Sequence, residues 1–180
     1  MTRMKFFTQE VFDAGEHEDF RRLDEEHLQH LEGLQDQIPY YVRTLEKVKT
    51  ISDGLVVRVG HDRIQKRMKL ILRIGDSLYE YVDIIISYFD AEISAEDDLV
   101  LATIARTTTR TDFRFDLAAH ELDFVDGKIE HRLMFHDNSL GDHDKKVFAI
   151  RCRDLKWRFV GRATRLLPDF ADRYPNGPGR

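Results

Sequence analysis

A single cysteine, Cys152, excludes an intramolecular disulfide and any zinc site built on cysteine pairs, and it suits a reducing compartment. No apolar run approaches the roughly 18–20 residues that cross a bilayer. The start, Met1 to Phe7, carries two basic residues with no apolar segment of signal-peptide length behind it. These absences point to a cytoplasmic chain with no membrane partner. Proline and glycine are also sparse, four and ten in 180 residues, and no linker rich in them precedes the C-terminal end. Residues 1–173 are therefore expected to form one domain of ordinary size, with 174–180 a disordered tail. There is no Gly-x-Ser-x-Gly elbow, no glycine-rich phosphate cradle and no dinucleotide fingerprint.

Charge is abundant but unevenly placed. The net charge is -5, which argues against a nucleic-acid binder. Acids crowd the segment Glu10 to Gln37, where only Arg21 and Arg22 oppose them. The sign reverses from Lys145 to Arg165, with Asp154 the lone acid. Such runs usually mean a solvated surface, and they also supply charge complementarity to a partner.

Thr8-Gln9-Glu10 has the polar cap and acid of a helix start, with Gly15 interrupting it. A helix is predicted from Glu16 to Leu34, with the stripe Phe20, Leu23, His27, Leu31 and Leu34 on one face. Pro39 breaks it, and Tyr40 to Lys47 follows as a short helical turn. After Asp53-Gly54 the pattern becomes strand-like: Leu55–Val59, then Met68–Ile74 and Leu78–Tyr88. Keeping one face apolar requires an odd loop at Gly75-Asp76-Ser77, which sets Ile74 opposite Leu78, Leu70 opposite Val82 and Lys69 opposite Asp83. Ser94 with Glu96, Asp97 and Asp98 marks another helix start, and Arg106–Thr111 is a polar connection.

Asp126-Gly127 is a two-residue hairpin turn, since both positions of a type I′ turn need positive φ. It sets Phe124 opposite Ile129, Leu122 opposite His131, His120 opposite Leu133 and Ala118 opposite Phe135. On the other face Glu121 meets Arg132 as an exposed ion pair. A last strand is expected from Val147 to Phe159. Its apolar phase changes from even (Phe148, Ile150, Cys152) to odd (Leu155, Trp157, Phe159), which calls for a bulge near Arg153-Asp154.

Histidines are the candidate chemistry. His120 and His131 fall on the predicted inner face as diagonal neighbours, either a proton-transfer or metal site or two buried neutral rings bonded to backbone. Asp116 is the nearest acid for a third ligand, but the strand's phase changes there. His27 and His30 have ligand-like spacing without the His-Glu-x-x-His order of a zinc hydrolase, and read as a core-edge residue beside an exposed one. His136, Asp137, His143 and Asp144 flank a polar loop that lacks the ligand order of a calcium site. Cys152, mid-strand, is a small buried side chain. Arg151, Arg153, Arg158, Arg162 and Arg165 interleave with Trp157 and Phe159, but parity puts ring and guanidinium on opposite faces. No metal set is complete and no cofactor is implied.

The segments Met4-Lys5-Phe6-Phe7-Thr8, Asp126-Gly127-Lys128-Ile129-Glu130-His131-Arg132-Leu133-Met134-Phe135 and Ile150-Arg151-Cys152-Arg153-Asp154 resemble a family of small bacterial proteins known only as a domain of unknown function. The resemblance implies a bacterial cytosolic origin and a compact helix-plus-sheet domain, and lends no activity.

The expected fold is α+β, with acidic N-terminal helices on a mostly antiparallel, meander-rich sheet of about five or six strands. The leading functional reading is a non-enzymatic protein-binding module of immunity or regulatory type, contacting a protein partner through Glu25, Glu26 and Glu32. The alternative is a small-molecule or metal-dependent enzyme with a β-lined pocket at His120 and His131. A nucleic-acid role for the C-terminal arginines ranks last because the whole chain is acidic.

Overall fold

The fold rests on a computed structural model that describes residues 3–8, 11, 17–48, 51–76, 80–108, 114–138 and 145–163. The expected helix start at Thr8–Glu10, Gly15, most of the 139–144 loop flanked by His136 and Asp137, and the 174–180 tail lie outside the described residues or reach beyond them.

Helix α1 runs His17–Gly33, and its stripe buries Leu23, His27 and Leu31. The chain turns at Ile38-Pro39 into a short α2, Tyr40–Arg43, which tightens into a 3-10 turn over Thr44–Lys47. Strands β1 (Leu55–Asp62), β2 (Arg67–Asp76) and β3 (Glu80–Phe89) form a meander. Helix α3 spans Ala95–Thr107 and begins as the sequence predicts, with the Ser94 hydroxyl accepting from the Asp97 N–H at 3.0 Å. Strands β4 (Phe115–Val125), β5 (Lys128–Asp137), β6 (Lys145–Cys152) and β7 (Asp154–Ala163) complete the order. The α+β class holds.

The strands make one seven-stranded antiparallel sheet in the order β6-β5-β4-β1-β2-β3-β7. The excess over five or six strands comes from the phase change at Arg153. There the last strand breaks in two, β6 pairing with β5 and β7 with β3. The two ends of the strand order are thus joined by one residue, Arg153. The opposite seam, β1 against β4, is slender: Leu55 pairs Asp116, and the Leu117 N–H donates to the Gly54 carbonyl at 2.9 Å. Glycine is required there, because a Cβ on residue 54 would lie 2.7 Å from the Ile51 carbonyl oxygen.

Two register expectations are corrected. In β2–β3, Ile74 faces Val82 and Leu70 faces Ile86, so Arg73 rather than Lys69 meets Asp83, with Nε 2.7 Å from Oδ1. The parity is as expected, but Asp76 pairs Glu80, so the odd connection is centred two residues later than Gly75-Asp76-Ser77. In β4–β5 the pairing runs as predicted from Phe124–Ile129 to His120–Leu133, and Asp126 and Gly127 have φ of 52° and 78°. Beyond His120 a bulge expels Ala118, and Leu117 takes its place opposite Phe135.

One face of the sheet builds the core: Met68, Leu70 and Leu72 from β2, Ile84 and Ile86 from β3, Leu133 and Phe135 from β5, Phe148 and Ile150 from β6. Ile38, Val42 and Leu45 from the helical segment join the same core, as do Leu101 and Ile104 of α3. Each such side chain contributes about 1.5–3 kcal/mol by leaving water.

Candidate functional site

Four polar side chains reach into this apolar interior in a string. Tyr88, fully buried on β3, places its hydroxyl 2.9 Å from Nδ1 of His131. His131 Nε2 lies 3.2 Å from Nδ1 of His120. His120 Nδ1 lies 3.5 Å from Oε1 of Glu46, whose side chain on the 3-10 turn is only 6% exposed. A buried hydroxyl must donate, so the Tyr88 proton points at His131 Nδ1. His131 then carries its ring proton on Nε2 and donates it to His120 Nδ1, leaving His120 protonated on Nε2. Glu46 Oε1 therefore faces a nitrogen with no proton to give, and it is a buried acceptor without a hydrogen-bond partner.

The electrostatics follow from burial. Desolvation drives His120 down from 6.5 to about 3, with the neighbouring His27 adding to the effect. Desolvation, then His120 and His27, hold His131 well below 6.5. Both rings are neutral at pH 7. Burial, reinforced by the charges of Glu121 and Asp24, lifts the Glu46 carboxyl well above its usual 4.5, against a backbone hydrogen bond from Leu122.

The predicted juxtaposition of His120 and His131 is present. A third ligand is not supplied by Asp116, which the bulge at Ala118 turns outward to accept from Asn138 Nδ2 at 3.1 Å. Among the described residues no group of three metal-ligating side chains stands ready for an ion. His27 is not at the core edge: it is buried, 3.9 Å from Glu46 Oε2 and 3.4 Å from the Leu122 carbonyl. His30, expected to be exposed, is partly covered and pairs with Asp123 at 2.9 Å.

The Glu121–Arg132 pair is in register but is not exposed. Glu121 is fully buried, because the N-terminal segment lies across it. Its carboxylate accepts from the backbone N–H groups of Lys5, Phe6 and Phe7 at 2.8, 2.6 and 2.7 Å. Arg132 stands 3.6 Å away through Nη1 and also serves Asp123 and Glu130. Glu25, Glu26 and Glu32 are exposed on α1, with Glu26 tied to Arg22. Asp137 is buried and held bidentately by Arg114. Cys152 is buried, and desolvation with the nearby Asp154 raises its thiol to about 12.

Two arginines of the basic run are taken up by acids. Arg151 points to Glu130 at 2.6 Å and Arg153 to Asp90 at 2.8 Å. Trp157 shares the inner parity of Leu155 but is only half-buried, its Nε1–H donating to the Tyr41 carbonyl at 2.9 Å. Parity alone would put the Trp157 ring in the core, so its half-exposure is a correction, and Phe159 on the same face is 50% exposed.

A cleft of about 830 Å³ opens between α1, the α2–3-10 segment and β4. Phe20, Leu28 and Tyr40 line its sides, and the buried Glu46 and His120 form its deep end. Phe7 and Ala118 flank it, and Asp24, Glu32, Arg43 and Lys47 also line it. The β-lined site is thus shared with the helical cap, whose Glu46 the sequence did not single out and whose His27 it read only as a core-edge residue. His27 carried a signal, a histidine inside an apolar stripe. Glu46 carried none. Compared with family models, curated proteins and solved structures, the chain matches none.

Proposed function

We propose that this protein binds a small molecule in the cleft between α1 and β4. The observation that carries the reading is the pair of buried polar groups, Glu46 and His120, at the deep end of a largely apolar cleft of about 830 Å³. That combination of volume, apolar wall and few convergent polar groups is the usual make-up of a ligand site, for which about 300–1,000 Å³ is typical. Behind His120, His131 and Tyr88 continue the buried string at 3.2 and 2.9 Å and hold the ring in place.

The test is titration with Nile red, an uncharged apolar dye, against the wild type and Ala118→Trp. Residue 118 leaves the strand ladder at the bulge and lines the cleft, so an indole there fills space without breaking a strand pair. Saturable one-to-one binding that the variant loses, at an unchanged circular dichroism spectrum, is expected. Non-saturable binding, or binding that ignores the substitution, refutes the reading.

A second reading keeps the exposed acids of α1 as a docking face for a basic protein partner in the cytoplasm, in the manner of an immunity-type protein. It is supported by Glu25, Glu26 and Glu32 lying exposed on one short helix. Reversing all three charges should slow association with an identified partner at low salt. An unchanged on-rate removes that reading.

A further inference from the structure

Glu46 Oε1 is buried against the cleft and lacks any hydrogen-bond donor. An unsatisfied acceptor of this kind costs about 1–3 kcal/mol unless something fills it. The two ring nitrogens closest to the carboxyl do not. His120 Nδ1, 3.5 Å from Oε1, already receives the proton of His131. His27 Nδ1, at 3.9 Å from Oε2, is beyond hydrogen-bond range. What the site lacks is therefore a donor, and a donor bearing positive charge suits it best, because Asp24 lines the same cleft and its charge acts on Glu46.

We propose that the deep end of the cleft recognises an organic ammonium ion, a primary or secondary amine on an apolar body, with Glu46 as its counter-ion. The inference rests on the small-molecule reading above and names the ligand class for it. Phe20 and Tyr40 line the same cleft and give it apolar wall for the ligand's body. Arg43 and Lys47, the cationic residues beside them, stack over Tyr40 at 5.7 Å each and leave the carboxyl to the ligand. An anionic head beside Glu46 would meet that carboxyl and the charge of Asp24, so the deep end discriminates against it.

Binding pairs the Glu46 carboxylate with R–NH3⁺, and because burial raises the Glu46 pKa, pairing with a cation drives proton loss from that carboxyl. The groups that face Glu46 and bear on that proton are His27 and Asp24 of α1 and His120 and Glu121 of β4.

The experiment displaces Nile red from the wild-type protein with octylamine, octan-1-ol and octanoate, which share a chain and differ in the head. Octylamine is expected to compete at least about tenfold more tightly than octan-1-ol, with octanoate weakest. Glu46→Gln should erase the amine's advantage, octylamine and octan-1-ol competing equally when compared within the variant. Calorimetry of octylamine in two buffers of different ionisation heat should report proton release, and this readout holds even where the variant fails to fold. If the dye binds but amine and alcohol compete equally, the ammonium inference falls and the cleft reading stands. If the dye does not bind at all, both fall.

Discussion

Removing the Glu121 carboxylate should detach the N-terminal segment and destabilise the protein by about 3 kcal/mol. Three charge-assisted hydrogen bonds hold Lys5, Phe6 and Phe7 to it, at 2.6–2.8 Å. Such bonds contribute about 1.5–3 kcal/mol each. Against them stands the cost of ordering three backbone residues, about 1–2 kcal/mol apiece. The difference is about 2–3 kcal/mol, to which the packing of Met4 on Ala119 and Met134 adds about 1 kcal/mol. Arg132 loses a neighbour at 3.6 Å but keeps Asp123 and Glu130, so no uncompensated charge remains. Glu121→Ala should therefore lower the urea-unfolding free energy by about 3 kcal/mol. Glu121→Gln, which keeps the shape and one acceptor oxygen, should lower it by about 1 kcal/mol. Hydrogen exchange at the Phe6 and Phe7 amides should accelerate in the alanine variant well before global unfolding. An alanine variant within 0.5 kcal/mol of wild type (roughly the scatter of surface substitutions), with those amides still protected, would show that the segment is held by something else.

The buried relay makes further predictions. Tyr88→Phe removes the hydroxyl whose partner is His131 Nδ1 at 2.9 Å. Leaving that nitrogen unsatisfied should cost about 1–3 kcal/mol in urea unfolding, and a change below 0.5 kcal/mol would show that the Tyr88–His131 hydrogen bond does not hold the string together. Acid should destabilise the fold early. His120 titrates at about 3 in the folded chain against 6.5 unfolded, so the unfolded state binds the extra proton as pH falls below 6.5. That single ring contributes a loss of up to about 1.4 kcal/mol per pH unit between those limits, and His27 and His131 shift in the same direction. Glu46 opposes them, because its raised pKa makes protonation favour the folded state above 4.5. With three rings against one carboxyl, urea midpoints should fall from pH 7 to 5, and the fall should be shallower in His120→Gln. Equal pH slopes in both proteins would contradict the neutral assignment. Cys152 should resist alkylation at pH 8 in the folded protein and react on unfolding, since burial and a thiol raised to about 12 leave almost no thiolate.

The sequence by itself determined what depends on neighbours a few residues apart. Asp126-Gly127 set the hairpin, and alternation from that turn carried the pairing as far as His120–Leu133, which brought His120 and His131 together. Ser94 marked a helix start through its own hydroxyl, and the change of phase at Arg153 marked the break between β6 and β7. The same reasoning stopped at Ala118, because a bulge shifts the parity on which it depends. Tertiary structure decided everything that required distant partners. That the break at Arg153 sends β6 to β5 and β7 to β3, at opposite ends of the strand order, is a matter of which strands lie on either side. Alternation correctly turned Glu121 away from the core, yet its burial comes from residues more than a hundred positions away in sequence. Glu46, an acid on a turn of 3-10 helix, had the pattern of a surface residue. It became the buried end of the cleft only because the helical cap presses that turn against His120, and periodicity records which way a side chain points but not what will cover it.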